Sequence, residues 1–257
     1  MLSAHLAALR ATRRRALVCY VTAGHPDRAA SLRLLRELPA AGADVIEVGV
    51  PFSDPLADGP VIQGSSQQAL DQGMTLEGTL ALIAEARSTV PIVLFTYLNP
   101  LMAAGPAVLE RAARQGVHGV LITDLPVGAD PEREAWLGDG PLEFVRLVAP
   151  TTPPARMAEI ARHGRGFVYL ISRLGVTGMQ ERVASALPAS VAALRAVCAL
   201  PICVGFGIST PAHAREVGAL ADGVVVGSAL VKAAESGVDE ALALVRSLRA
   251  ALDEPRA

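Results

Sequence analysis

Eight short runs of β-branched and other apolar residues recur along the chain, separated by segments of helical character. The runs are LVCYV from Leu17, DVIEVG from Asp44, PIVLFTY from Pro91, GVLITD from Gly119, EFVRLVA from Glu143, GFVYLIS from Gly166, PICVGF from Pro201 and DGVVVGS from Asp222. Nearly continuous apolar strands of this kind suit a parallel sheet covered on both faces. Between them, Arg28–Ala41, Leu76–Ser88, Ala104–Gln115, Ala155–His163, Ser190–Cys198, Pro211–Gly218 and Val238–Leu252 carry helical periodicity. The alternation predicts an α/β fold with parallel strands, most simply one closed (β/α)8 barrel of the TIM type spanning residues 1–257. An open doubly wound sheet is the rival. It would place a G-x-G-x-x-G loop after the first strand, where Thr22-Ala-Gly-His-Pro26 stands instead.

The opening segment MLSAHLAALRATRRR predicts an additional N-terminal helix. Its arginines and lack of acids also fit an organellar transit peptide. The strand from Ala16 begins at once, with no spacer for cleavage, which favours the helix.

Composition narrows the function classes. The 257 residues carry a formal net charge of −2, with 51% hydrophobic and 19% charged residues, so no basic footprint for nucleic acid is present. No apolar run reaches the roughly 18 residues of a membrane span. Cys19, Cys198 and Cys203 have no metal-ligand spacing and read as reduced thiols of a cytoplasmic protein. The histidines are scattered, and no metal site is expected.

The chemistry begins at Glu47. Strand side chains alternate faces, so Ile46, Val48 and Val50 face the helices while Glu47 points into the lumen. Asp58 follows eleven positions later, in a loop rich in Pro and Gly. Two acids converging on a cavity suit proton transfer. An apolar lumen should raise the Glu47 pKa. Both Asp54 and Asp58 also fit plain turn-forming roles.

Strands seven and eight end in Val204-Gly-Phe-Gly-Ile-Ser209 and Val226-Gly-Ser-Ala-Leu230, each close to a helix start. Glycines there would admit a close ligand, and free amides with the helix dipole would favour an anion. Barrels often bind phosphate at this place. The loop Ser172–Gly178 fits a closing lid or an ordinary surface loop equally well. Tyr169 shares a face with Phe167 and Ile171, so core packing and ligand contact are both open. Asp124 reads as a loop cap, and Arg173 and Lys232 as solvated charges.

Taken together, YVTAGHPD, IEVGVPFSDPLADGPVIQ, SRLGVTG, VGFGIS and VVVGSALV resemble the α subunit of tryptophan synthase, in order and over essentially the whole chain. PFSDPLADGP is the most specific of these pieces. The resemblance implies a lyase that splits indole-3-glycerol phosphate into indole and glyceraldehyde 3-phosphate. No cofactor is implied in this chain. A β subunit bearing pyridoxal phosphate is implied as partner, in an αββα complex. Residue by residue, it implies a proton shuttle at Glu47 and charge stabilisation at the indole nitrogen by Asp58. It also implies substrate contacts at Tyr20, Tyr169 and Thr177, and phosphate contacts at Gly178, Phe206, Gly207, Gly227 and Ser228. Asp54 and Pro55 match the loop facing the β subunit. His25 and Cys19 depart from the commonest pattern, where Asp and Pro are frequent, and neither is a catalytic position.

Rival functions remain distinguishable. A sugar-phosphate isomerase barrel would want acids ending strands one and five, where Tyr20-Val-Thr22 and Val148-Ala-Pro150 stand. A stand-alone lyase would share every catalytic residue. A non-catalytic phosphate-binding subunit would leave a buried Glu47 without a task, which is costly.

Overall fold

Eight parallel strands close in sequence order, and the last returns to pair with the first. They are β1 (Ala16–Thr22), β2 (Val45–Gly49), β3 (Ile92–Thr96), β4 (Val117–Ile122), β5 (Glu143–Val148), β6 (Val168–Ile171), β7 (Ile202–Gly205) and β8 (Gly223–Val226). This computed structural model describes residues 1–171, 180–205 and 207–254, and of 180–186 the backbone alone. The helices are α1 (Leu2–Ala11), α2 (Arg28–Ala41), α3 (Pro60–Asp71), α4 (Leu76–Ala86), α5 (Leu98–Ala104) and α6 (Val108–Arg114). After β4 come α7 (Pro131–Gly138), α8 (Pro154–Arg162), α9 (Gln180–Val197), α10 (Pro211–Leu220), α11 (Ser228–Ser236) and α12 (Val238–Asp253). No helix among the described residues is long and apolar enough to cross a membrane.

Local chemistry sets several of these boundaries. The Asp27 carboxylate accepts from the Ala30 N–H at the start of α2, and Gly42, in the left-handed region at φ 112°, ends it. Thr75 and Thr210 cap α4 and α10 in the same way. The helix expected over Ala104–Gln115 starts only at Val108, and the helix that ends at Ala104 was not expected. Gly105, at φ 83°, and Pro106 separate the two, so α5 ends at Ala104 and α6 starts at Val108. The polar helix α3 and the short helices α5 and α7 carry too little apolar periodicity to stand out in the sequence.

Alternation along the strands sorts two apolar layers. Ile46, Val48 and Val50 pack outward with the helices. Val18, Val45, Val93, Leu121, Val145 and Phe167 fill the lumen. The helix expected at the N-terminus is present, and it stoppers the bottom of the barrel. Leu2 and Leu6 are buried in the same luminal cluster. Each such leucine contributes about 1.5–3 kcal/mol relative to exposure. Gly166 and Gly119 leave room for Leu2, since a Cβ at either would come within 2.6 and 3.0 Å of its Cδ2.

Among the described residues, two ion pairs are buried around the barrel. Arg146 meets Glu134 at 2.9 Å on the outer side of β5. Asp44, just before β2, accepts from the Leu17 N–H at 2.8 Å and from Arg249 of α12 at 3.1 Å.

Candidate active site

A cavity of about 340 Å³ opens where the strands end, the C-terminal face of the barrel. Glu47 lies on its floor, 1% exposed, between neighbours placed by the strand register. Tyr20 of β1 sits directly beside it in the ladder. The Glu47 Oε1 has no hydrogen-bond partner among the described residues. Burial alone lifts this carboxyl to about 8. The inward acid expected from strand alternation is therefore where the pattern put it, and its pKa moves in the expected direction.

Asp58 reaches the same cavity from the loop after β2. Its surroundings are less polar than the role implied by the resemblance, an ionised carboxylate at the ring nitrogen, would call for. Burial pushes its carboxyl up to about 6, and a hydrogen bond from the Tyr97 hydroxyl, at 2.9 Å, opposes that rise. Tyr97 in turn packs against Phe52, with ring centroids 5.1 Å apart. At neutral pH the ionised form still predominates, because the value lies below 7.

Tyr20 and Tyr169 line the cavity and also belong to apolar clusters, so contact with the cavity and core packing are both served. Tyr20 meets Phe95 edge-on at 5.2 Å. Burial raises both phenols well above their ordinary range, which keeps them neutral. Space for the rings comes from glycine. A Cβ on Gly49 would overlap the Tyr20 hydroxyl, and one on Gly205 would overlap the Tyr169 hydroxyl. Gly205 thus accommodates a tyrosine rather than a ligand, which corrects the reading of that glycine as part of an anion cradle.

Across the cavity lie Gly207, Ser209, Gly227 and Ser228. Gly207 has φ 81°, a conformation that glycine adopts without strain. Ser228 is the first residue of α11, whose opening N–H groups have no acceptor within the helix. That end suits an anion. Thr177, Gly178 and Phe206, the other residues expected to hold substrate, lie outside the described residues, as do Ser172 and Arg173.

Asp54 and Pro55 do not reach the cavity. They form the outer turn of the loop, where the Ser53 hydroxyl donates to Asp54 at 2.7 Å and the Pro55 carbonyl accepts from the Asp58 N–H at 3.0 Å. Leu56 beside them is 94% exposed. Asp124 accepts from the Leu98 N–H at 2.8 Å, a structural role as expected, though at the start of α5 rather than in its own loop after β4. Tyr97 and Phe95 escaped the sequence reading as site residues. Phe95 could have been found by alternation from the luminal Val93, whereas Tyr97 lies beyond the strand end, where alternation gives no guidance. No cluster of three metal-binding side chains occurs among the described residues.

Two carboxyls with raised pKa values share the cavity with a helix start of a kind that suits an anion, an arrangement capable of acid–base chemistry. The family model for the tryptophan synthase alpha chain matches residues 6–255. The tryptophan synthase alpha chain of Desulfatibacillum aliphaticivorans is 48% identical over 236 residues, covering 90% of this chain and 89% of that protein. The one from Laribacter hongkongensis is 46% identical, covering 96% and 97%. Among solved structures, Mycobacterium tuberculosis tryptophan synthase in space group F222 superposes with a TM-score of 0.91 at 36% identity, covering 99% of this chain and 98% of that one. The alpha subunit from Legionella pneumophila str. Paris gives 0.89 at 34% identity, covering 98% of each chain. With a family model spanning nearly the whole chain and relatives close to half identical, the chain belongs to the tryptophan synthase alpha chain family.

Proposed function

We propose that the chain cleaves indole-3-glycerol phosphate to indole and glyceraldehyde 3-phosphate, with Glu47 and Asp58 as its catalytic residues. The observation that carries this reading is Glu47 itself: buried, unpartnered at Oε1 and held near 8, at the floor of the cavity. Near neutral pH such a carboxyl exchanges protons readily in either direction. Protonated Glu47 delivers its proton to C3 of the indole ring. Asp58, ionised, accepts a hydrogen bond from the ring N–H and stabilises the positive charge that grows there. Glu47, now a carboxylate, takes the proton of the adjacent glycerol hydroxyl. As the carbonyl forms, the bond to C3 breaks and its electron pair returns to the ring. The hydroxyl proton has replaced the one given to C3, so the cycle closes with the acid restored.

Tyr20, Tyr169 and Phe95 pack the ring, and Gly207, Gly227 and Ser228 receive the phosphate. Thr177, Gly178 and Phe206 complete the substrate contacts in this proposal. The chain uses no cofactor of its own and acts in the cytoplasm. Its partner is a β subunit carrying pyridoxal phosphate, and the assembly is αββα. Asp54, Pro55 and the exposed Leu56 form the tip that meets that subunit. An exposed leucine at a rigid turn suits burial against a partner. The test is indole formation from indole-3-glycerol phosphate by the purified chain, alone and with a β subunit. Turnover that Glu47→Gln leaves intact would remove the mechanism, and turnover indifferent to the β subunit would remove the partner.

A further inference from the structure

Of the chain's 23 lysine and arginine residues, only Lys232 is a lysine, and it lines the cavity. It stands on α11 four positions after Ser228, so the two project from one face of the helix, a turn apart. The rotation of the helix is fixed between them. Leu230 and Val231 are buried, and Val231 packs in the cluster that contains Tyr20 and Ile62. Among the described residues Lys232 makes no ion pair, whereas exposed arginines such as Arg28, Arg33 and Arg215 do. Its nearest acid along the helix, Glu235, faces His25 instead, at 3.9 Å.

We propose that Lys232 is a substrate-binding residue that holds the phosphate through its ammonium group, in the cavity that Glu47 and Asp58 also line. The proposal rests on the phosphorylated substrate assigned above. It adds a full positive charge to the amides and serine hydroxyls that Gly207, Ser209, Gly227 and Ser228 bring to that cavity. A compact ammonium with three donors on a flexible stem reaches a tetrahedral phosphoryl group without the planar matching that an arginine fork requires. The placement also serves the chemistry. Burial is the sole cause of the Glu47 shift, and no cation contributes to either carboxylate, so the phosphate is gripped without lowering Glu47, the acid that must stay protonatable.

The full chain is tested with indole-3-glycerol phosphate and with its unphosphorylated counterpart, indole-3-glycerol. Lys232→Gln should raise KM for the phosphoester by about ten- to hundredfold while kcat changes less than about threefold. Lys232→Arg should recover most of that loss, and turnover of indole-3-glycerol should be the same in all three proteins. An unchanged KM in Lys232→Gln, or equal losses on both substrates, overturns the proposal. A second arm needs no variant, because the chain has a single side-chain amine. Inorganic phosphate should slow reductive methylation of Lys232 by formaldehyde and cyanoborohydride, read by mass spectrometry. An unslowed reaction overturns the proposal. A wild-type chain inactive on the phosphoester, yet protected at Lys232 by phosphate, would remove the reaction and keep this site.

Discussion

Tyr97 and Asp58 are joined through a hydroxyl that works in both directions: it donates to Asp58 Oδ2 at 2.9 Å and accepts from the Ala57 N–H at 2.9 Å. A residue just past β3 thereby fixes the loop that follows β2. Donation to the ionised carboxylate favours it and opposes burial. Tyr97→Phe should therefore lift Asp58 further above about 6. The acid limb of kcat/KM should move to higher pH, with activity near that limb falling by up to about tenfold. A limb in the wild-type position would show that Tyr97 does not govern Asp58.

The wild-type profile is itself constrained. Glu47 must begin protonated and Asp58 ionised, so kcat/KM should rise through about 6 and fall through about 8. Steady-state rates between pH 5 and pH 9 check this. An alkaline limb that survives Glu47→Asp unmoved would assign it to some other group.

Glu47→Gln should lower turnover by roughly 10²–10⁴-fold while substrate binding persists. It should also stabilise the fold. The unfolded chain releases this proton near the ordinary value of 4.5, whereas the native state holds it to about 8. Between those values the native state binds more protons, so the contribution of Glu47 to stability falls as pH rises. The glutamine variant should gain on the wild type by at most about 1.4 kcal/mol per pH unit across that window. Melting curves at pH 5 and pH 8 should show the advantage growing with pH; a constant difference would contradict the buried charge.

Gly205→Ala places a methyl group against the Tyr169 ring. Overpacking of this kind costs about 1–3 kcal/mol. Tyr169→Phe in the same chain removes the overlapping hydroxyl and should recover part of that loss. Strict additivity of the two changes in denaturant titrations would mean that the residues do not press on each other.

Leu6→Ala removes a buried side chain from the stopper at the far end of the barrel. The expected cost is about 2–5 kcal/mol in stability, with kcat/KM near wild type at a temperature where the variant is folded. Urea titration and steady-state rates measured together check it, and a large loss of kcat/KM in the folded variant would mean that the stopper shapes the catalytic end.

Much of this architecture was legible because local signals agreed. The expected limits of α2 match the observed Arg28–Ala41, since an aspartate cap and a left-handed glycine mark its ends. Glu47 was legible from strand alternation alone. What escaped lay where alternation and helical periodicity give no signal. The helix α3 is built from residues such as Gly64, Ser65, Ser66 and Gln67, with little apolar contrast between its faces. The partner of Asp58, Tyr97, comes from the end of a different strand, and only tertiary packing brings the two together. Gly205 looked like a ligand cradle because its neighbour is a tyrosine from a different strand. Lys232 read as solvated for a related reason. Its exposure is real, but the space it faces is the mouth of the cavity.

The ion pair between Asp44 and Arg249 spans 205 positions. During synthesis on the ribosome Asp44 emerges with Arg14 already made, which pairs with it at 3.2 Å, and long before the second guanidinium. The last helix thus arrives after all eight strands, and a nascent chain stalled before α12 would leave bare the faces of α2, α10 and α11 on which that helix packs.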